Sequence, residues 1–362
     1  MSEYRASSAN QELAIINLNQ LEQQAAQVIP KGAFGYIQGG AGDEWTMRHN
    51  QLAFEKKCII PRVLADLEHP DLATSILGTE IKSPIIMAPA AAHGLAHADG
   101  EKATARGVAE AGTIMGISSY ANTTIEETAQ AGDGAPQWFQ LYMSKDDEFN
   151  FFLLDKAKSC GVKAIILTAD ATVGGNREAD AINNFTFPLT MANLARFGAG
   201  QGQGIGEIYA KALQKIKPGD VEKIASHTNL PVIVKGIQCA EDALLAMGAG
   251  ASAVYVSNHG GRQLDGGPAS FDVLPKVAEA VAGRVPIIFD SGIRRGQHVF
   301  KALASGADVV GINRPILYAL ALGGSKGVVS VFEHLNKELA MVMQLAGARN
   351  VAEIKKALLC QP

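Results

Sequence analysis

The run Ala253-Val254-Tyr255-Val256 breaks into Ser257-Asn258-His259-Gly260-Gly261-Arg262-Gln263-Leu264-Asp265. The run is apolar, β-branched and aromatic, which predicts a buried strand. His259 and Arg262 then stand three residues apart on a turn loosened by two glycines. An imidazole takes or gives a proton near neutral pH. A guanidinium grips a carboxylate with a pair of hydrogen bonds. Together at the mouth of a strand they suit proton abstraction from a small hydroxy acid held by its carboxylate.

Similar residues recur at nearly every predicted strand end. Apolar strand candidates cover 85–90, 113–118, 138–142, 164–170, 232–237, 253–257, 286–290 and 309–312. Their ends carry Ser118, Gln140 with Tyr142, Thr168 with Asp170, Lys235, Ser257 with His259, Asp290 with Arg294, and Asn313 with Arg314. For any one of them, simple solvation of a strand terminus is the bland reading. For the whole set that reading is weak. Asp170 is placed to orient His259, as a carboxylate orients a catalytic imidazole.

Lys235 closes the apolar Val232-Ile233-Val234. It is suited to hold negative charge on a ligand, or to form a Schiff base, which keeps a barrel lyase open. Asp290-Ser291-Gly292-Ile293-Arg294-Arg295-Gly296 and Ile312-Asn313-Arg314-Pro315 mark the last two strands. In barrel enzymes these loops form the usual phosphate site. Gly292 permits close backbone approach, and Arg294 and Arg314 bring charge. A phosphorylated ligand follows, as substrate or as cofactor. The glycine-rich run 198–206 follows no strand and does not match a dinucleotide fingerprint.

Between the strands lie Ala-rich amphipathic segments at 100–111, 149–160, 240–247, 275–282 and 296–304. Alternation of this kind makes parallel βαβ units. Eight units over 81–362 match a (β/α)8 barrel, about 250 residues in typical size; an open doubly wound sheet is the other architecture. Residues 1–80 read as an N-terminal helical and extended segment that packs on the barrel. Helical spacing covers 19–28 and 44–54, with a glycine-rich stretch at 32–42 between them. The interval after the fourth strand is too long for a plain connection, so 171–216 is expected to form a lid.

At 47% hydrophobic and 19% charged residues, a large core is possible and global disorder is excluded. The net charge of -4, with no run of one sign, favours neither nucleic acid nor an anionic membrane surface. No run of about 18 apolar residues predicts a membrane span. Met1 to Gln24 lacks a signal core. Cys58, Cys160, Cys239 and Cys360 lie far apart without metal-type spacing, so no metal site is expected and a reducing cytoplasm is.

The motifs SNHGGRQLD (257–265), DSGIRRG (290–296), TADATVGGNRE (168–178), QWFQLY (137–142) and PIIMAPAAAHGLAH (84–97) together resemble the FMN-dependent α-hydroxy-acid oxidase family. The resemblance runs from Tyr36 to Arg314 and looks closest to the family's lactate-oxidising bacterial branch. It implies a (β/α)8 barrel, FMN as the phosphate-bearing ligand, and oxidation of a small L-2-hydroxy acid. L-Lactate going to pyruvate, with O2 reduced to H2O2, is the first expectation. A lactate 2-monooxygenase or a glycolate-type oxidase is the alternative, and a homotetramer the expected assembly.

Residue by residue, His259 resembles the base and Asp170 its supporting carboxylate. Arg177 and Arg262 match the substrate-carboxylate pair, and Tyr36 and Tyr142 the tyrosines that bind substrate. Lys235 matches the lysine beside the flavin, and Pro89, Ala90 and Ala91 the segment beneath it. Ser118, Gln140, Thr168 and Ser257 resemble ring and ribityl contacts. Asp290, Ser291, Gly292, Ile293, Arg294, Asn313 and Arg314 fall where ribityl and phosphate are held. Two departures stand out: Asn313, where many relatives have Gly, and Phe187, where the nearest relatives carry a lid tyrosine. Tyr209 resembles a second lid tyrosine.

Overall fold

The computed structural model describes residues 4–197, 200–212 and 214–362. Three short strands come first: β1 (Cys58–Ile59), β2 (Thr74–Ile76) and β3 (Thr79–Ile81). Eight parallel strands follow: β4 (Ile85–Ala90), β5 (Met115–Ser118), β6 (Gln137–Leu141), β7 (Ala164–Thr168), β8 (Val232–Ile237), β9 (Ala253–Val256), β10 (Ile287–Phe289) and β11 (Val309–Ile312). They close into a barrel in which β11 pairs with β4, Ile312 opposite Met87. A last strand, β12 (Leu359–Cys360), pairs with β1. All eight predicted barrel strands are present, with ends moved by a few residues.

The strands read as continuous apolar runs because both faces are buried. Ile86, Trp138, Ile166, Ile233, Tyr255 and Ile288 share one packed cluster inside the barrel, with Ile76 and Ile81 of the β2–β3 hairpin. Met87, Ile165, Val232, Val254 and Phe289 pack in the larger cluster that the surrounding helices share. Period-two alternation thus sorts each strand between two cores.

The N-terminal segment is part of the same body. Helix α1 (Leu18–Val28) starts at Asn17, whose side chain accepts from the Asn19 N–H, and buries Leu18, Leu21 and Ala25. Helix α2 (Lys31–Gln38) lies where a glycine-rich irregular stretch was expected. Glycine lowers helix propensity by about 1 kcal/mol. Here close packing overrides it: a Cβ on Gly35 would meet Asn183 Nδ2 at 2.7 Å. Helix α3 (Trp45–Leu52) packs on the loop after β9, where the Thr46 N–H donates to Asp265 Oδ1 at 2.8 Å.

The long helix Arg314–Ala346 bends at Gly324, whose φ is 58°. Among the described residues it alone is long and apolar enough to cross a membrane, yet 78% of its most apolar window is buried inside the protein. It packs against α1 and the helices Gly100–Ala111 and Gly296–Ala304, as a core helix does. The cysteines, distant in sequence, are not all distant in space: Cys58 lies opposite Cys360 in the β1–β12 ladder.

Candidate active site

A cavity of about 970 Å³, counting the space open to solvent at its mouth, sits over the C-terminal ends of the barrel strands. Its floor is Pro89, Ala90, Ala91, Ser118, Gln140, Thr168, Lys235 and Asp290, all at strand ends. Gly292, Ile293, Arg294, Asn313 and Arg314 line it, with Ser291 beside them. Tyr36, Tyr142, Arg177, His259 and Arg262 line it as well.

His259 adopts a left-handed backbone, φ 59°, between the strand end and two glycines. Its N–H donates to Ser257 Oγ at 3.0 Å. Its Nδ1 lies 3.0 Å from Asp170 Oδ1, and its Nε2 lies 3.3 Å from the Tyr142 hydroxyl. A carboxylate accepts only, so Nδ1 carries the proton and Nε2 presents its lone pair to the cavity. Burial lowers the imidazole below its ordinary range; Asp170 pulls it back up, and Lys235 and Arg177 push it down again. The resting imidazole is therefore neutral near pH 7, as a base must be. Burial raises the Asp170 carboxyl, but His259 and Lys235 outweigh that and hold it ionised, below its usual range.

Tyr36 lies between two guanidiniums. The Arg262 and Arg177 carbons sit 5.1 Å and 5.6 Å from its ring centre. Arg262 Nη1 donates to the carbonyls of Ile37 and Gly39 at 3.2 and 2.7 Å, at the C-terminal end of α2. That end carries negative partial charge, so the cation belongs there. Burial, and then the like charge of Arg177, lower Arg262 to about 10, and it remains a cation at neutral pH. Arg177 Nε and Nη1 are buried without a protein partner. Two crowded cations with unused donors fit a carboxylate between them. Burial raises Tyr36 and Tyr142, so both hydroxyls stay protonated donors.

On the floor, neighbouring strands hand hydrogen bonds sideways. Ser118 Oγ donates to Gln140 Oε1 at 3.0 Å, and Gln140 Nε2 donates to Thr168 Oγ1 at 2.9 Å. Lys235 Nζ donates to Ser257 Oγ at 3.0 Å and lies 3.6 Å from Asp290 Oδ2. Ser257 is fully buried, and its hydroxyl oxygen accepts from both the Lys235 ammonium and the His259 N–H, two groups that line the cavity.

The loop after β10 turns on Gly292, φ 95°, where a Cβ would lie 2.2 Å from the Asn50 carbonyl oxygen. Arg314 donates to the carbonyls of Ile37, Gly39 and Gly260 at 3.3, 3.2 and 3.1 Å. Asn313 turns away from the arginines, and its Nδ2 donates to the Pro89 carbonyl at 3.1 Å.

The segment after β7 folds over the cavity as helix Glu178–Ile182, the 3-10 turn Ala192–Phe197 and helix Ile205–Tyr209. Residues 198, 199 and 213 of the expected lid, and so part of its glycine-rich run, lie outside the described residues. Tyr209 lines the cavity, 5.7 Å from the Tyr142 ring and 5.9 Å from Tyr120. Phe187 does not line it. It is fully buried, edge-on to Tyr36 at 4.9 Å. Tyr120, packed 4.4 Å from Tyr142, is a wall residue that sequence reasoning missed; its place two residues beyond a strand-end serine was the available signal.

A neutral imidazole, a double guanidinium clamp and a fixed cation facing one long cavity suit removal of a proton and two electrons from a carboxylate-bearing alcohol. That is the chemistry of a flavin-dependent hydroxy-acid oxidoreductase on a (β/α)8 barrel. The chain belongs to the FMN-dependent dehydrogenase family, matching it over residues 25–361. It is 61% identical over 358 residues to an L-lactate oxidase of Lentilactobacillus hilgardii, covering 98% of this chain and 97% of that protein. It is 41% identical over 353 residues to a glycolate oxidase of Spinacia oleracea, covering 95% of each. A solved structure of a lactate oxidase from Pediococcus acidilactici superposes with a TM-score of 0.96 at 58% identity, covering 99% of this chain and 98% of that one.

The cavity fits FMN. Arg294 and Arg314 line it beside Gly292, where a Cβ would meet the Asn50 carbonyl oxygen at 2.2 Å. Gln140, Lys235 and Ser118 offer polar atoms along the floor.

Proposed function

We propose that this enzyme oxidises L-lactate to pyruvate and passes the electrons to O2, giving H2O2. The observation that carries the reading is the placement of His259 Nε2, supported through Nδ1 by Asp170, in one cavity with the Arg177–Tyr36–Arg262 clamp. The aromatic wall of Tyr120, Tyr142 and Tyr209, packed ring against ring in the cavity that Ala91 also lines, supports a short substrate. Family membership sets aside the Schiff-base reading of Lys235.

The two arginines bind the substrate carboxylate, and Tyr36 and Tyr142 donate to its oxygens. Fixing the acid in this way turns an encounter into an aligned reaction. His259 Nε2 takes the hydroxyl proton. The imidazolium so formed is stabilised by Asp170, which is already ionised against it. Bound FMN supplies the two-electron acceptor; Pro89, Ala90, Ala91, Ser118, Gln140, Thr168 and Lys235 would hold its ring side, and Asp290, Ser291, Gly292, Ile293, Arg294 and Arg314 its ribityl phosphate. Lys235 stands as a preorganised cation where negative charge then develops. Anaerobic L-lactate should bleach the flavin absorbance, and in air pyruvate and H2O2 should appear in equal amounts. Acetate and CO2 as the products, or an unbleached flavin, would refute the reading.

Leu244 and Leu245, exposed on the outer barrel helix Ala240–Gly248, support a homotetramer. Light scattering at the mass of one 38.1 kDa chain would refute it. The four unbridged cysteines support a cytoplasmic location, which cell fractionation tests.

A further inference from the structure

Cys58 and Cys360 are separated by 302 positions (360 minus 58), yet they are direct partners in the antiparallel β1–β12 ladder. Cross-strand partners project from the same face of the pair. Here that face is the outer one: both cysteines are exposed, whereas Ile59 and Leu359 between them are half-buried. The Ile60 N–H donates to the Leu358 carbonyl at 3.1 Å. Two steps along each strand, Cys58 and Cys360 therefore fall in the same hydrogen-bonded class, with a Cα spacing of about 5.5 Å. A disulfide spans Cα separations of roughly 4.4–6.8 Å. Its Cβ atoms must approach a little closer than the ladder sets them. β12 can supply that movement, since it is a two-residue strand whose Leu359 is half-buried and whose Cys360 is exposed.

We propose that Cys58 and Cys360 form a reversible disulfide whose oxidant is hydrogen peroxide, the enzyme's own product. The inference rests on the oxidase reading for the source of peroxide, and on the ladder alone for the site. One thiolate attacks a peroxide oxygen, the O–O bond breaks, and a sulfenic acid and, after proton transfer, water result. The second thiol sulfur attacks the sulfenic sulfur, the S–O bond breaks, and a second water leaves. In sum, two thiols and one H2O2 give one disulfide and two waters. The sulfurs lose two electrons and the peroxide gains them.

One further observation favours this pair over the other cysteines. Burial pushes the Cys160 and Cys239 thiols up, and both are half-buried without a cysteine across a ladder. Oxidation would fasten the last strand of the chain to the segment that leads back through Phe54 and α3 to the loop carrying His259.

The test uses reduced, FMN-loaded enzyme. Reagent H2O2 should lower the free thiols from four to two and produce a peptide joining Cys58 to Cys360, reversed by dithiothreitol. C58S and C360S should each lose that peptide, while C160S and C239S keep it. Unchanged thiols, or bridges only between separate chains on a non-reducing gel, would overturn the proposal. Lactate and air should reproduce the bridge, and catalase should suppress it. A bridge with reagent peroxide but none with lactate and air would uphold the cysteine pair and count against the oxidase reading.

Discussion

Arg262 and Arg177 face the same ligand from different scaffolds. Arg262 comes from the loop after β9 and is anchored on two carbonyls at the end of α2, which also anchor Arg314. Arg177 comes from the segment over the cavity, and two of its buried nitrogens have no protein partner. The barrel side of the clamp is thus built in advance by hydrogen bonds that the fold supplies. The side that folds over the cavity keeps donors in reserve. A buried donor without a partner costs roughly 1–3 kcal/mol, and a ligand carboxylate recovers that. The difference teaches where rigidity ends and ligand-dependent order begins.

His259 belongs to the anchored side, and removing it should produce the largest loss. His259→Gln keeps the size and polarity but not the basicity. General-base catalysis is worth about 10²–10⁴-fold, and stopped-flow flavin reduction by anaerobic lactate should slow by that much. A near-parent rate would move the base elsewhere.

Arg262→Lys comes next. A lysine cannot make the fork or reach both α2 carbonyls. Losing one partner of a buried charged contact costs about 2 kcal/mol or more, which is more than tenfold. The loss should appear chiefly in KM. Arg177→Lys should be milder, because Arg177 Nε and Nη1 hold no protein hydrogen bond to lose. Equal losses at the two positions would erase the contrast drawn above.

Asp170→Asn tests the imidazole's support through pH. The His259 pKa lies below its ordinary value, so kcat/KM should stay flat across neutrality and fall only as pH drops through that lowered pKa. Asp170 is the group that raises it. Asparagine should therefore shift the acid limb to still lower pH while slowing reduction. A hydrogen bond to a charged group is worth about 1.5–3 kcal/mol, so the slowing should be about tenfold or more. A limb that moves upward would contradict the pairing.

Much of this was legible in the sequence because barrel strands are buried on both faces and end in polar residues. The cavity gathers Lys235, His259, Arg262, Asp290 and Arg314 from positions scattered between 235 and 314. What escaped was set by tertiary contact. Gly32 and Gly35 hid α2, since nothing local announces that a helix needs glycine to meet Asn183. Cys58 and Cys360 meet only because β1 pairs with β12, far off in sequence. Phe187 sits in the segment over the cavity, yet it packs edge-on against Tyr36 and does not line the wall.

Asn313 sets the smallest expected effect and asks which end of the cavity it serves. It stands just before Arg314, yet its amide reaches across to the Pro89 carbonyl at the end of β4. Pro89 is itself hemmed in, since a Cβ on Gly116 would lie 2.8 Å from its nitrogen. The amide therefore ties the floor to the phosphate-type end. Asn313→Ala removes one partly buried hydrogen bond, worth about 0.5–1.5 kcal/mol, and should weaken FMN binding by a few fold in a fluorescence titration. Asn313→Gly also adds backbone freedom before the long helix, about 0.5–1 kcal/mol more, and should bind still more weakly. Tighter FMN binding in either variant would mean that Asn313 crowds the ligand, and that the phosphate-type end is strained and not simply pre-built.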